Sequence, residues 1–255
     1  MKAALKVELA AHLKTLHLPS VGRDWEKTSA DAAKESLAYE EFLLRLCARE
    51  VSDREARAFT KRVTKARFPA KKTLAEFDFN AMPKLDPLKA HRLAACEFVE
   101  ARQNVLFVGS SGTGKTHLAS ALGIEACRRR FSVRFYTVSQ LVEALIEARS
   151  ERMLGRMRAM LKRVDLLVLD ELGFVALPQS GAELLFDVVS DRYEKGSIAL
   201  TTNLAFEEWI SVLSSEPLTH AMLDRLTHHV HILEMNGRSY RLAQSLGERS
   251  KGEVT

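Results

Sequence analysis

Residues 104–117 read NVLFVGSSGTGKTH, an apolar run that enters a glycine-rich turn and leaves it as a helix. Gly109, Gly112 and Gly114, followed by Lys115 and Thr116, keep the spacing G-x-x-x-x-G-K-[ST]. Such a turn lets backbone N–H groups close around phosphate oxygens at a helix N-terminus, where the helix dipole favours negative charge. Gly109, Ser110, Ser111, Gly112, Thr113, Gly114, Lys115, Thr116 and His117 are therefore expected to hold ATP. Lys115 is expected to reach the β- and γ-phosphates, and the Thr116 hydroxyl to bind Mg²⁺.

A second run, DLLVLDE at 165–171, ends in adjacent carboxylates. In a nucleotide site Asp170 completes the Mg²⁺ shell and Glu171 polarises the attacking water; otherwise one acid caps the next element. IALTTN ends in Asn203, whose amide reaches the γ-phosphate or the water, or serves a turn. His229 and His231 share one face of a strand, but no second ligand pair accompanies them. Met153, Met157 and Met160 fall at helical spacing and read as core or interface.

The elements that must position these groups separate by period. Residues 1–66 read as helices, with Tyr39, Phe42, Leu43, Leu46 and Cys47 forming one expected buried stripe. Phe59, Val63 and Ala66 continue a similar stripe, and Pro69 stops the helix. Beyond about residue 77, short apolar runs alternate with amphipathic helices. Strands are expected at 104–108, 133–138, 165–170, 198–202 and 230–234. Separations of roughly 30 residues fit crossover helices and a mostly parallel sheet, with ligands at the strands' carboxyl ends. The expected division is a helical, basic DNA- or partner-binding domain at 1–66, a linker at 67–76, a nucleotide-binding domain at 77–246 and a flexible tail at 247–255.

The formal net charge is +5, but residues 1–75 hold 16 Lys/Arg against 10 Asp/Glu. Within 57–72, Arg57, Lys61, Arg62, Lys65, Arg67, Lys71 and Lys72 meet no acid. That segment suits a polyanion such as DNA, or else a solvated helix face. No stretch approaches the ~20 apolar residues of a membrane-spanning helix, and the N-terminus suits no signal peptide. Cys47, Cys96 and Cys127 lack metal or disulfide spacing, so reduced thiols in a cytosol are expected, with no membrane partner.

GSSGTGKTHLASALG, LLVLDELGF, TTN and LTHAMLDRLTHHVHILEMNGRSYR together resemble the AAA+ ATPases. Within them they resemble the IstB/DnaC group of transposition helper ATPases and bacterial helicase loaders. The resemblance covers nearly the whole chain. It implies an α/β AAA+ P-loop NTPase domain, with a five-stranded sheet between helices, preceded by a small all-helical domain. About 20 residues follow VHILE, too few for the helical lid of most relatives, a loss typical of this group.

It further implies Mg²⁺-dependent ATP hydrolysis at a site shared between subunits of a homo-oligomer. Arg225 matches the family's arginine finger. Arg241, in GRSYR, matches a sensor-type arginine usually carried by the lid, or is a surface charge. DELGF and LTHHVHIL look more like the transposition helpers. The implied function is ATP-dependent assembly on double-stranded DNA to assist a transposase in target selection and insertion. The alternative is a loader gripping a replicative helicase. Initiator-type relatives line a DNA channel with an extra helix where this chain carries Arg152 and Arg156; a solvated face is the other reading there. Small-molecule kinases have no need of Asp170, Glu171 and Asn203 together. Glu171 and Arg225 argue against a scaffold that binds ATP without turnover.

Overall fold

The computed structural model describes residues 3–237 together with Ser239 and Tyr240. The chain divides into two compact units, residues 1–61 and 62–255. The predicted tail at 247–255, and Arg241, lie outside the described residues.

The first unit is built from α1 (Ala3–Thr15), α2 (Pro19–Glu35) and most of α3 (Tyr39–Ala66). Leu13, Val21 and Leu46 form its small core, with Leu9, Leu18, Trp25 and Phe42 packed around them. Pro19 opens α2 with its φ already helical. The next amides, of Ser20 and Val21, donate to Glu50 Oε2 at 2.8 and 3.3 Å, so a side chain from α3 serves the N-terminus of α2. Burial pushes the Glu50 carboxyl up, but those amides and the guanidinium groups of Arg57 and Arg54 hold it below the ordinary carboxylate range. Only part of the expected α3 stripe is covered. Leu46 is buried and Phe42 half-buried, whereas Tyr39, Leu43 and Cys47 are exposed. Two short helices cannot cover more than one narrow face of a 28-residue helix.

The second unit carries α4 (Pro87–Ala94), α5 (Glu97–Glu100), β1 (Asn104–Val108), α6 (Lys115–Arg128), β2 (Val133–Thr137) and α7 (Val138–Ser150). There follow α8 (Leu154–Lys162), β3 (Leu166–Leu172), α9 (Gln179–Arg192), β4 (Ser197–Thr202), α10 (Trp209–Leu213), α11 (Glu216–Thr227) and β5 (Val230–Glu234). The strands make one sheet in the order β2-β3-β4-β1-β5, every pair parallel. Helices pack on the sheet, the arrangement that the resemblance to the AAA+ ATPases implies. Leu106, Leu167, Leu169 and Leu200 are essentially inaccessible. Burying each such leucine contributes about 1.5–3 kcal/mol. Helix starts are encoded locally: Asp86 accepts from the Leu88 amide ahead of α4, Thr137 and Gln140 form a capping box on α7, and Ser215 caps α11.

Arg192, at the end of α9, is buried among four carbonyls, of Leu161, Val164, Asp165 and Ser197, at 2.6–3.1 Å. Burial lowers its pKa to about 10, so it stays protonated at neutral pH and ties α8, β3 and β4 together.

The segment 67–76, expected as a linker, is packed onto the second unit. Phe68 meets Phe135 edge-on at 6.0 Å, and Leu74 and Phe77 are buried. Thr73 donates through its amide and hydroxyl to Glu76 Oε2, starting a single 3₁₀ turn at Leu74–Glu76. Its apolar residues have neither helical nor strand period, which is why a proline-bearing basic stretch reads as unstructured.

Candidate nucleotide site

β1 ends at Val108, and the chain turns through Gly109–Gly114 into α6. Gly114 has φ +89°, and a Cβ there would lie 2.9 Å from a Phe77 ring carbon. At Gly109 a Cβ would collide with the Met235 carbonyl at 2.3 Å. The loop is therefore closed against its neighbours and tolerates only glycine at these points. Lys115 is nearly buried and its ammonium donates to the carbonyls of Gly109 and Ser110 at 2.6 and 2.7 Å.

The predicted carboxylates lie beside this loop, but in different environments. Asp170 is buried, and its Oδ1 accepts from the Thr116 hydroxyl at 3.0 Å and the Thr201 hydroxyl at 2.5 Å. The ladder between β3 and β4 slips by one residue between Leu169 and Leu172. This bulge puts Glu171 at φ +65° and leaves its side chain exposed. A left-handed glutamate costs about 1–2 kcal/mol, and a bulge is the usual device for re-aiming a side chain beside a site. Asn203, also exposed, follows β4.

Ser111–His117, Glu171, Thr201, Thr202 and Asn203 line one cavity of about 660 Å³, of a size that suits a nucleotide. It opens at the carboxyl ends of β1, β3 and β4, where a parallel sheet presents its ligands. Thr116 spends its one hydroxyl proton on Asp170, which leaves its oxygen lone pairs available. A hydroxyl and a carboxylate are hard oxygen donors of the kind Mg²⁺ takes, so the residues fit that ion.

His117 reaches the cavity, but its Nε2 lies 2.8 Å from the Thr73 carbonyl and its ring packs edge-on against Phe77. That bond requires the proton on Nε2 and fastens the 67–76 segment to α6. The same segment brings Lys71 and Lys72 to the cavity wall, together with Phe77 and Met82. These two lysines, expected at DNA, line the nucleotide cavity in this structure, where the chain around them is held by Phe68, Thr73 and Leu74.

The other basic residues fall into two sets. Arg57 pairs with Glu50 at 3.1 Å, and Arg62 donates to the Cys127 carbonyl at 2.8 Å, so both serve the fold. Lys61, Lys65, Arg67, Arg152 and Arg156 are exposed. Near the last pair, Arg158 and Lys162 are neutralised by Asp187 and Asp191 of α9.

Arg225 lies outside the cavity. Its guanidinium donates to Ala221 of its own helix at 2.7 Å and stacks 4.7 Å from the Phe186 ring centre. It lines a small recess with Asn104, at the start of β1, whereas the phosphate loop follows the end of that strand. Five strand residues separate the two points by roughly 16 Å.

His231 bonds Gln103 at 2.8 Å, while His229 stacks on His228 near Glu194 on the surface. The two histidines expected to share a strand face thus have separate partners.

Thr201 escaped the sequence reading. Its signal was a pair of hydroxyl residues closing an otherwise apolar buried strand, which the adjacent Asn203 overshadowed. Tyr240, whose amide donates to the Gly112 carbonyl at 3.0 Å, also borders the cavity.

The sequence profile of the family "IstB-like ATP binding protein" matches residues 11–247. The protein named for ATP binding in insertion sequence IS5376 of Geobacillus stearothermophilus is 34% identical over 247 residues, which cover 97% of this chain and 98% of that one. Its counterpart in insertion sequence IS21 of Pseudomonas aeruginosa is 37% identical over 248 residues, 97% of this chain and 92% of that one. Among solved structures, a replication initiator DnaA bound to AMPPCP and single-stranded DNA superposes with a TM-score of 0.55 at 26% identity. That match spans 71% of this chain and 56% of the initiator chain.

Proposed function

Because the chain belongs to the family of IstB-like ATP-binding proteins of insertion sequences, we propose that it is an ATP-hydrolysing AAA+ protein that assembles as a homo-oligomer on double-stranded DNA. There it assists the transposase of the same element in target selection and insertion. The observation that carries the hydrolytic part is the convergence of Lys115, Thr116 and Glu171 on one cavity, with the buried Asp170 hydrogen-bonded to Thr116 behind its wall. A protein that only held a nucleotide would have no use for a strained, exposed glutamate at its mouth.

In this reading Lys115 exchanges its two loop carbonyls for β- and γ-phosphate oxygens, which the loop amides also receive. Thr116 and Asp170 would hold Mg²⁺, which would supply positive charge to the phosphates. Glu171 takes the proton of the attacking water, and its exposure leaves the carboxylate reachable. Asn203 orients that water or the γ-phosphate. Arg225 is too far from its own cavity, so it acts on the nucleotide of a neighbouring copy, and assembly becomes a condition of turnover. DNA phosphates meet Lys61, Lys65, Arg67, Arg152 and Arg156.

The test is nucleotide binding and duplex-dependent assembly of Lys115→Ala, followed by titration with a fluorescent ATP analogue and by electron microscopy. Loss of both supports the reading. Parent-like affinity and assembly contradict it, and particles that form only with a replicative helicase favour a loader.

A further inference from the structure

Resting on the reading of the cavity as a hydrolytic Mg²⁺–ATP site, we propose that Thr201 is a positioning residue that sets both carboxylates through one hydroxyl. The Thr201 oxygen accepts from the Glu171 amide at 2.9 Å and donates to Asp170 Oδ1 at 2.5 Å. The side chain is 1% exposed, so water does not replace it.

The β3–β4 ladder slips at this point, between Leu169/Leu200 and Leu172/Thr202. The Glu171 amide finds its partner in a side chain of the neighbouring strand. One β-branched hydroxyl thus stands in for a ladder bond and holds Glu171 at φ +65°. The same oxygen fixes the Asp170 carboxylate against rotation. Thr116 donates to that same Oδ1, so Thr116 and Asp170 share one geometry toward a cation. Deleting the hydroxyl releases both acids at once. Asp170 then turns about its own axis, and the bulge loses the bond that directs Glu171 outward.

The experiment compares the full-length protein with Thr201→Val, which keeps the shape and removes the hydroxyl, and with Thr201→Ser, which keeps the hydroxyl. Without nucleotide or metal, amide exchange in the peptide spanning 168–174 should quicken about tenfold in the valine variant and stay at the parent rate in the serine variant. With a non-hydrolysable ATP analogue, the Mg²⁺ concentration for the half-maximal thermal shift should rise roughly fivefold in the valine variant alone. Its kcat should fall by about tenfold or more with little change in KM for ATP, the pattern of a lost transition-state arrangement.

Parent-like exchange and Mg²⁺ dependence in Thr201→Val would overturn the proposal. If Thr201→Val does not fold, Thr201→Ser decides: parent values support the role, and a loss of exchange protection and of turnover refutes it. A parent protein without ATP turnover sinks the hydrolytic reading instead, while the exchange and Mg²⁺ shifts still judge Thr201.

Discussion

Arg225→Ala separates a shared active site from a self-contained one. The guanidinium lies beside Asn104 and the phosphate loop follows Val108, so the two are parted by the length of β1, roughly 16 Å. A fully extended arginine cannot span that gap while its helix stays packed. Removing it should therefore leave ATP binding to isolated chains intact. In the assembled protein, hydrolysis should fall by about 10³-fold or more, the scale on which arginine fingers act. The assay is phosphate release from equimolar mixtures of Arg225→Ala and Lys115→Ala. A head-to-tail interface is restored when its loop comes from the first variant and its finger from the second, so at most about a quarter of the interfaces are restored, because Lys115→Ala chains enter the assembly only where a neighbour's nucleotide holds them. Turnover above that of either variant alone, up to that fraction of the parent rate, is the expected result. A co-assembled mixture no more active than either variant alone would refute the argument, as would loss of ATP binding by Arg225→Ala itself.

Replacing Lys61, Lys65 and Arg67 together by glutamine should reduce the slope of log affinity for duplex DNA against log salt by about 2.7, at ~0.9 per phosphate contact. Lys71→Gln with Lys72→Gln should leave that slope alone and weaken ATP binding, because both line the nucleotide cavity; the opposite pattern would put these lysines back at the DNA. Glu50→Ala should destabilise the helical unit by about 1–3 kcal/mol, since the amides of Ser20 and Val21 lose their acceptor. The Glu50 carboxyl is depressed in the folded chain, so its contribution is fully present above about pH 4.5 and is lost as pH falls through the lower folded value. Circular-dichroism melts of parent and variant across that range should converge on the acid side.

Strand positions were readable because β1, β3 and β4 are buried on both faces, which makes them uninterrupted apolar runs with polar residues only at their ends. The same feature marked Asp170, Glu171 and Asn203. What escaped depended on contacts between segments distant in sequence. Lys71 and Lys72 look like part of one basic stretch with Lys61 and Lys65, and only the packing of Phe68 and Leu74 turns them toward the nucleotide cavity. Arg192 reads as a surface charge at a helix end, and its burial follows from four carbonyls supplied by α8, β3 and β4. The α3 stripe looked wide enough to be buried throughout, because periodicity gives the apolar face and not the partner that covers it.

The hydrolytic site is tested most directly by ATP turnover of Glu171→Gln, measured with Mg²⁺ and duplex DNA beside the parent. The amide keeps the size of the side chain, and the bulge that presents it depends on backbone and Thr201, so the cavity should persist. The prediction is unchanged ATP affinity, turnover lower by about 10²–10⁴-fold, and a DNA-bound assembly that no longer dissociates as ATP is supplied. Turnover at the parent rate would contradict it, because the water would then be activated by some group other than the exposed acid at the end of β3.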